Sequence, residues 1–134
     1  MKADSLNKSS GAYIERSNVK PNHSQPIIAS TTTFDASDVG SDHILSVDCV
    51  ITLPATSVGY VYTCIAGADD VEITLSPNAS DKFLGGCGLA AQSDNKDLIY
   101  SNGKEGDCVQ VVADGTHGWY VTHLSSSGNV SIES

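Results

Sequence analysis

The sequence predicts an all-β protein, a small antiparallel β-sandwich or barrel-like domain with an extended N-terminal arm. Three observations lead there. Beyond about residue 41, β-branched and aromatic runs recur at intervals of roughly ten residues, divided by Gly, Asp, Asn and Pro. Residues 1 to 40 are instead rich in Ser, Asn, Asp and Thr, contain Pro21 and Pro26, and repeat at neither the helical nor the strand period. No segment of the chain carries a helix signal.

The chain has 134 residues, room for one domain. Once the polar first third is set aside, the remaining core is near the size at which burial alone is marginal. Further stability is then expected from disulfides, a metal or self-association. The boundaries follow the change in texture: an arm over 1–40, a β-domain over 41–125 and a polar C-terminal tail over 126–134.

Short apolar groups punctuate the arm, at Tyr13 with Ile14, then Val19, then Ile27 with Ile28. Their spacing is that of anchors that order on a neighbouring subunit, with a simple polar tail as the alternative reading of the same composition.

The first β-run, ILSVDCVITLP, alternates so that Val47, Cys49, Ile51 and Leu53 share one face, and Pro54 ends it because it cannot donate to a ladder. GYVYTCIA and VEITLS follow, and the intervening GADD suits a tight reversal, which predicts a hairpin. In its second strand Val71, Ile73 and Leu75 point inward. FLGGCGLAA is too rich in glycine for an ordinary central strand and is expected to bend sharply or lie against another backbone. It has neither the spacing nor the following helix of a phosphate-binding loop. The last region supplies three strands, with turns at SNGKEGD and ADGTHG whose Asn-Gly and Asp-Gly chemistry hairpins prefer. Trp119 and Val121 share a face there, and Tyr120 and Thr122 the other. The domain thus holds about six or seven strands.

Seven basic residues face sixteen acidic ones, and the net charge is −9. The basic residues are scattered singly, so nothing here neutralises a run of phosphates, and the surplus of acid argues against anionic membranes as well. The first residues lack the apolar core of a secretory signal, and no stretch has the length of a bilayer span, so synthesis in a cytoplasm is expected. The Asn-x-Ser/Thr triplets at Asn7, Asn22, Asn78 and Asn129 are then chance composition.

Cys49, Cys64, Cys87 and Cys108 form no CxxC pair. In a reducing cytoplasm they are free thiols acting as small apolar side chains; outside a cell any of the four becomes a possible disulfide cysteine. A Cys with His117 or His123 is the strongest catalytic candidate, yet three of the cysteines lie in or beside strands and read as core. Asp69 with Asp70, and Asp94 with Asp97, sit in turns where Asp is favoured for its short side chain. No enzyme activity, cofactor or metal site is expected.

From about residue 44 to 124 the succession TLPA, YVYTCIAGADD, ITLSPNASDK, NKDLIY and GDCVQVVADGTHGWYVT resembles domains of tailed-phage virion proteins, particularly capsid decoration (cement) proteins, and also modules of tail and head fibres. The resemblance implies a virion component bound to the outer surface of the capsid. Its partners would be the major capsid protein and copies of itself in a homotrimer, with no nucleic acid, no membrane and no catalytic residues. The four cysteines depart from that family's usual scarcity. A fibre module that stacks host glycans on Tyr60, Tyr62, Tyr100 and Tyr120 is the alternative.

Overall fold

A computed structural model describes residues 27–56 and 60–133. Two β-sheets enclose one apolar core, as the sequence predicts, but the pairing is mixed and the domain boundaries lie elsewhere. The strands are β1 (Ile27–Ile28), β2 (Thr32–Thr33), β3 (Asp42–Leu45), β4 (Cys49–Thr52), β5 (Val61–Ala66) and β6 (Ile73–Ser76), followed by β7 (Lys82–Gly85), β8 (Leu98–Ser101), β9 (Cys108–Ala113), β10 (Gly118–Leu124) and β11 (Asn129–Ile132). A six-stranded sheet has the order β1-β3-β5-β9-β10-β7, and a five-stranded sheet the order β11-β8-β6-β4-β2.

The first six strands alternate between the sheets, so the chain winds as a flattened coil of three turns. Each turn runs in the same sense, and successive turns therefore pair in parallel. Ile28 stands opposite Leu45 and Leu45 opposite Ala66 in one sheet, and Ile51 stands between Thr32 and Leu75 in the other. The remaining strands complete the sheets, with β9 and β10 as an antiparallel hairpin wedged between β5 and β7.

ILSVDCVITLP is thus two strands, not one. The break at Ser46–Asp48 has a local cause: Ser46 donates its backbone N–H to the Ile28 carbonyl at 2.9 Å, and the Asp48 carboxylate accepts from the Glu72 N–H at 2.8 Å. These bonds to a neighbouring turn replace the ladder of a continuous strand. Cys49, Ile51 and Leu53 keep their shared inward face, whereas Val47 is left exposed.

The expected hairpin between GYVYTCIA and VEITLS is not formed, because β5 and β6 lie in different sheets. Gly67 serves a close approach of two turns. Its N–H donates to the Leu45 carbonyl at 2.7 Å, and a Cβ there would stand 2.8 Å from that oxygen. SNGKEGD likewise carries the chain across from β8 to β9. That loop folds over the end of β5, held by the Asp107 carbonyl accepting from Ala66 N–H at 2.7 Å and by Asp69, whose carboxylate accepts from Glu105 N–H at 2.9 Å.

The ADGTHG hairpin and the glycine-rich bend are as the sequence predicts. The Asp114 carboxylate accepts from the N–H groups of Thr116, His117 and Gly118, which fixes the turn. Gly86 (φ 113°) lies so near the Val121 carbonyl that a Cβ would come within 2.1 Å of it.

Residues 27–40, expected in the arm, contribute β1, β2, a capped 3-10 turn at Ala36–Asp38 and the core residue Phe34. Within the expected C-terminal tail, Asn129–Ile132 form β11, paired with β8. It is latched by Asp107, whose carboxylate accepts from Tyr100 Oη at 2.8 Å, from the Lys104 N–H at 2.8 Å and from the Ser127 hydroxyl, while Gly128 N–H donates to Tyr100 Oη. One aromatic chain crosses the core, with ring centroids 4.3 Å apart from His43 to Phe34, 5.0 Å from Phe34 to Tyr62 and 5.6 Å from Tyr62 to Trp119.

Candidate functional site

The residues expected to anchor the chain separate into two groups. Tyr13, Ile14 and Val19 lie outside the described residues. Of the remaining pair, Ile28 is buried in its own domain, so it is core and not a contact for a neighbour. Ile27 projects from the opposite face of β1 and is 69% exposed.

Ile27 heads a row. The ladder registers place Ile27 beside Ile44, Ile44 beside Ile65 and Ile65 beside Cys108, all on the outer face of the six-stranded sheet because their strand neighbours Ile28, Leu45, Cys64, Ala66 and Val109 point into the core. A second apolar row runs Val61, Val112 and Tyr120, and Tyr120 is 49% exposed.

Between them lies a polar row of Asp42, Thr63 and Gln110, continued on β10 by His123 opposite Gln110 and by Thr122 at the bulge beside it. Gln110 donates to Thr63 Oγ1 at 2.9 Å and accepts from Thr122 Oγ1 at 3.0 Å, so the middle row satisfies much of its own hydrogen bonding.

Cross-strand neighbours of this kind form a continuous surface. A strand read singly shows one inward face, and only the ladder aligns the outward apolar positions of β5 and β9.

The outer face of the five-stranded sheet is different. Its registers bring together Val50, Thr74 and Ile99 in one row and Thr33, Thr52 and Ser76 in the next, with Asp48 and Glu72 beside its edge. A shallow depression of about 130 Å³ there is lined by Thr31, Asp48, Cys49, Val50, Glu72 and Thr74. That is below the few hundred Å³ of a typical small-molecule pocket.

Neither the glycan-stacking set nor a thiol–imidazole pair is assembled. Tyr62 and Tyr100 are core residues, Tyr60 packs edge-on against Tyr62, and Tyr120 alone of the four is exposed. Burial pushes the Tyr62 hydroxyl up to about 12, and it donates to the Asp35 carbonyl at 2.8 Å. His117 stands in the β9–β10 turn against Thr116 and Asp114, away from any described hydrogen bond to a cysteine. Among the described residues, no group of three or more His, Cys, Asp and Glu could hold a metal ion.

All four cysteines are free thiols. Cys64 points inward opposite Val109, and Cys108 points outward opposite Ile65, so these two cannot join without backbone movement. Desolvation pushes the Cys64 thiol up to about 12 and raises Cys49 and Cys108 as well, which disfavours the reactive thiolate. Cys87 is exposed in the glycine bend, with its Sγ 3.5 Å from the Val121 carbonyl.

No family model, curated protein or solved structure matches this chain.

Proposed function

We propose that this chain is a non-catalytic structural component of a tailed-phage particle, a decoration protein that binds the outside of the capsid as a homotrimer and stabilises the shell by bridging capsid subunits. One observation carries the reading: the outer face of the six-stranded sheet presents aliphatic side chains in rows, headed by the exposed Ile27. Exposed apolar side chains grouped on one face serve association with other protein. The resemblance of residues 44 to 124 to cement proteins supports the same reading, as does the net charge of −9, which keeps an exterior protein soluble and off nucleic acid.

Attachment is multivalent. Residues 1–26 are the segment assigned to attachment, and linking three such contacts raises avidity well beyond that of one. The alternative, a fibre module binding host glycans, rests on the exposed ring of Tyr120.

Deleting residues 1–26 tests the reading, since β1 begins at Ile27 and every described strand is kept. The truncated chain is expected to fold and to lose binding to purified shells in a sedimentation assay. Full decoration by the truncated chain would overturn the role given to that segment. Failure of the intact chain to bind shells at all would overturn the decoration reading.

A further inference from the structure

We infer that residues 1–26 dock on the open end of their own chain's coil and add one further turn beside β1 and β2. The inference concerns the free protein, before any shell is met, and goes beyond the decoration reading.

The open end is a pair of free edges. β1 ends the six-stranded sheet and β2 ends the five-stranded sheet on the same side of the coil, and among the described residues no strand lies beyond either. Ser46 N–H donates to the Ile28 carbonyl and Phe34 N–H to the Thr52 carbonyl. By the alternation of a strand, the neighbouring N–H groups of Ile27 and Thr33 therefore point away from the coil. Unpaired edge groups are a template for another strand, and stacked turns need a terminal cap.

Three observations select the occupant. The first is reach. The segment ends at Ile27, on the open edge itself, so its contact is intramolecular and its effective concentration high. Between the second and third turns, ladder partners are 21 residues apart at Ile44 and Ile65 and 24 apart at Ile51 and Leu75. Between the first and second they are 17 apart at Ile27 and Ile44 and 19 apart at Thr32 and Ile51. A segment of 26 residues supplies one more turn of that length and not two.

The second observation is charge. From Ile27 to Ser76 the coil contains seven acidic residues and no Lys or Arg. Residues 1–26 carry Lys2, Lys8, Arg16 and Lys20 against Asp4 and Glu15. Asp35, Asp38 and Asp42 stand in the first turn and at the start of β3, so acid lies close to the open end. A basic segment tethered there is drawn onto the coil.

The third is apolar spacing. Ile28 and Phe34, the buried residues of the first turn, are six positions apart, and so are Tyr13 and Val19. An offset of 15 residues, which continues the shortening of the turns, sets Tyr13 against Ile28 and Val19 against Phe34. The added turn then extends the core by two apolar side chains.

Amide hydrogen exchange of the full chain, followed by NMR, tests this. The Ile27 and Thr33 amides are expected to exchange at least about tenfold more slowly than in the double variant Tyr13→Asp with Val19→Asp. Deleting residues 1–26 should release the Thr33 amide to the same extent. Added salt should narrow the difference, and protein concentration should leave it unchanged. Retained near-ultraviolet dichroism from the buried Trp119 establishes that each variant is folded.

Equal exchange in the full chain and the double variant, a Thr33 amide unaffected by the deletion, or protection that develops only as copies associate would each overturn the inference. If these amides are protected and the full chain leaves purified shells bare, the inference holds and the decoration reading fails. If they are unprotected and shells are decorated, the inference fails and the decoration reading stands.

Discussion

The two halves of the domain are built on opposite plans. From Ile27 to Ser76 the chain coils, sending one strand to each sheet per turn and pairing in parallel. From Lys82 to Ile132 it fills gaps and edges, mostly antiparallel, around one true hairpin. The first half is held by stacked aliphatic side chains and by backbone bonds between turns. The second contributes Phe83, Tyr100 and Trp119 to the core and is tied down by Asp107 and Asp114, each of which accepts three or more hydrogen bonds. The difference teaches that a coil closes by repeating one parallel pairing from turn to turn, while the strands that complete the sandwich are fixed by individual carboxylate latches and close backbone approaches.

The hardest test of that contrast is to remove one of those aromatic rings. Trp119 is fully buried beside Tyr62, and Trp119→Ala should cost about 3–5 kcal/mol in denaturant unfolding. Trp119→Phe should cost far less, because among the described residues the indole N–H has no hydrogen-bond partner to lose. Equal losses from both variants would show that the N–H, not the ring volume, matters.

Next come the close approaches. A Cβ on Gly118 would lie 1.8 Å from the Lys82 carbonyl, whereas one on Gly67 would lie 2.8 Å from the Leu45 carbonyl. Gly118→Ala should therefore destabilise by about 3 kcal/mol or more, and Gly67→Ala by about 1–3 kcal/mol. Thermal melts that reverse this order would contradict the account of the two halves.

The carboxylates give a smaller, pH-dependent effect. The hydrogen bond from Ser127, with those from Lys104 N–H and Tyr100, holds the Asp107 carboxyl below its ordinary 3.8, and three backbone N–H groups led by that of Gly118 lower Asp114 as well. For a lowered acid the stabilisation is present above the unfolded value and is lost as pH falls through the folded one. The thermal midpoint should thus fall on acidification below pH 4. Asp107→Asn should flatten that acid limb and loosen β11, seen as faster amide exchange over residues 129–132. Asp81 works the other way, since burial raises it, so Asp81→Asn should steepen the acid fall. An unchanged profile in Asp107→Asn would remove the latch.

The smallest expected effect is chemical. Titration of the native protein with a thiol reagent should find Cys87 fastest, Cys108 slower, and Cys49 with Cys64 protected until unfolding, with four thiols in total. Fewer than four under denaturing conditions would mean that disulfides had formed.

The second half was the more legible in sequence. ADGTHG encodes its own hairpin, because Asp114 is both the turn former and the acceptor for the returning N–H groups. The alternation around Trp119 assigns core and surface correctly. The coil was not legible, since GADD and SNGKEGD carry the same turn chemistry whether the chain reverses or crosses to the other sheet. What decides is a distant contact, such as Gly67 against Leu45 or Asp69 against Glu105.

Residues 27–33 were hidden for a related reason. A two-residue strand such as Ile27–Ile28 has no period to detect, and it exists because β3 lies beside it. Of the surface, Ile27 is legible in the sequence only as one of an apolar pair with Ile28. The rows it belongs to emerge only from the register that sets Ile44, Ile65 and Cys108 in line.

Electron cryo-microscopy of the phage shell decorated with the full chain tests the central claim most directly. Trimers bound to the outer surface of the shell are the predicted result. Single copies on the shell, or shells without this protein, would contradict it.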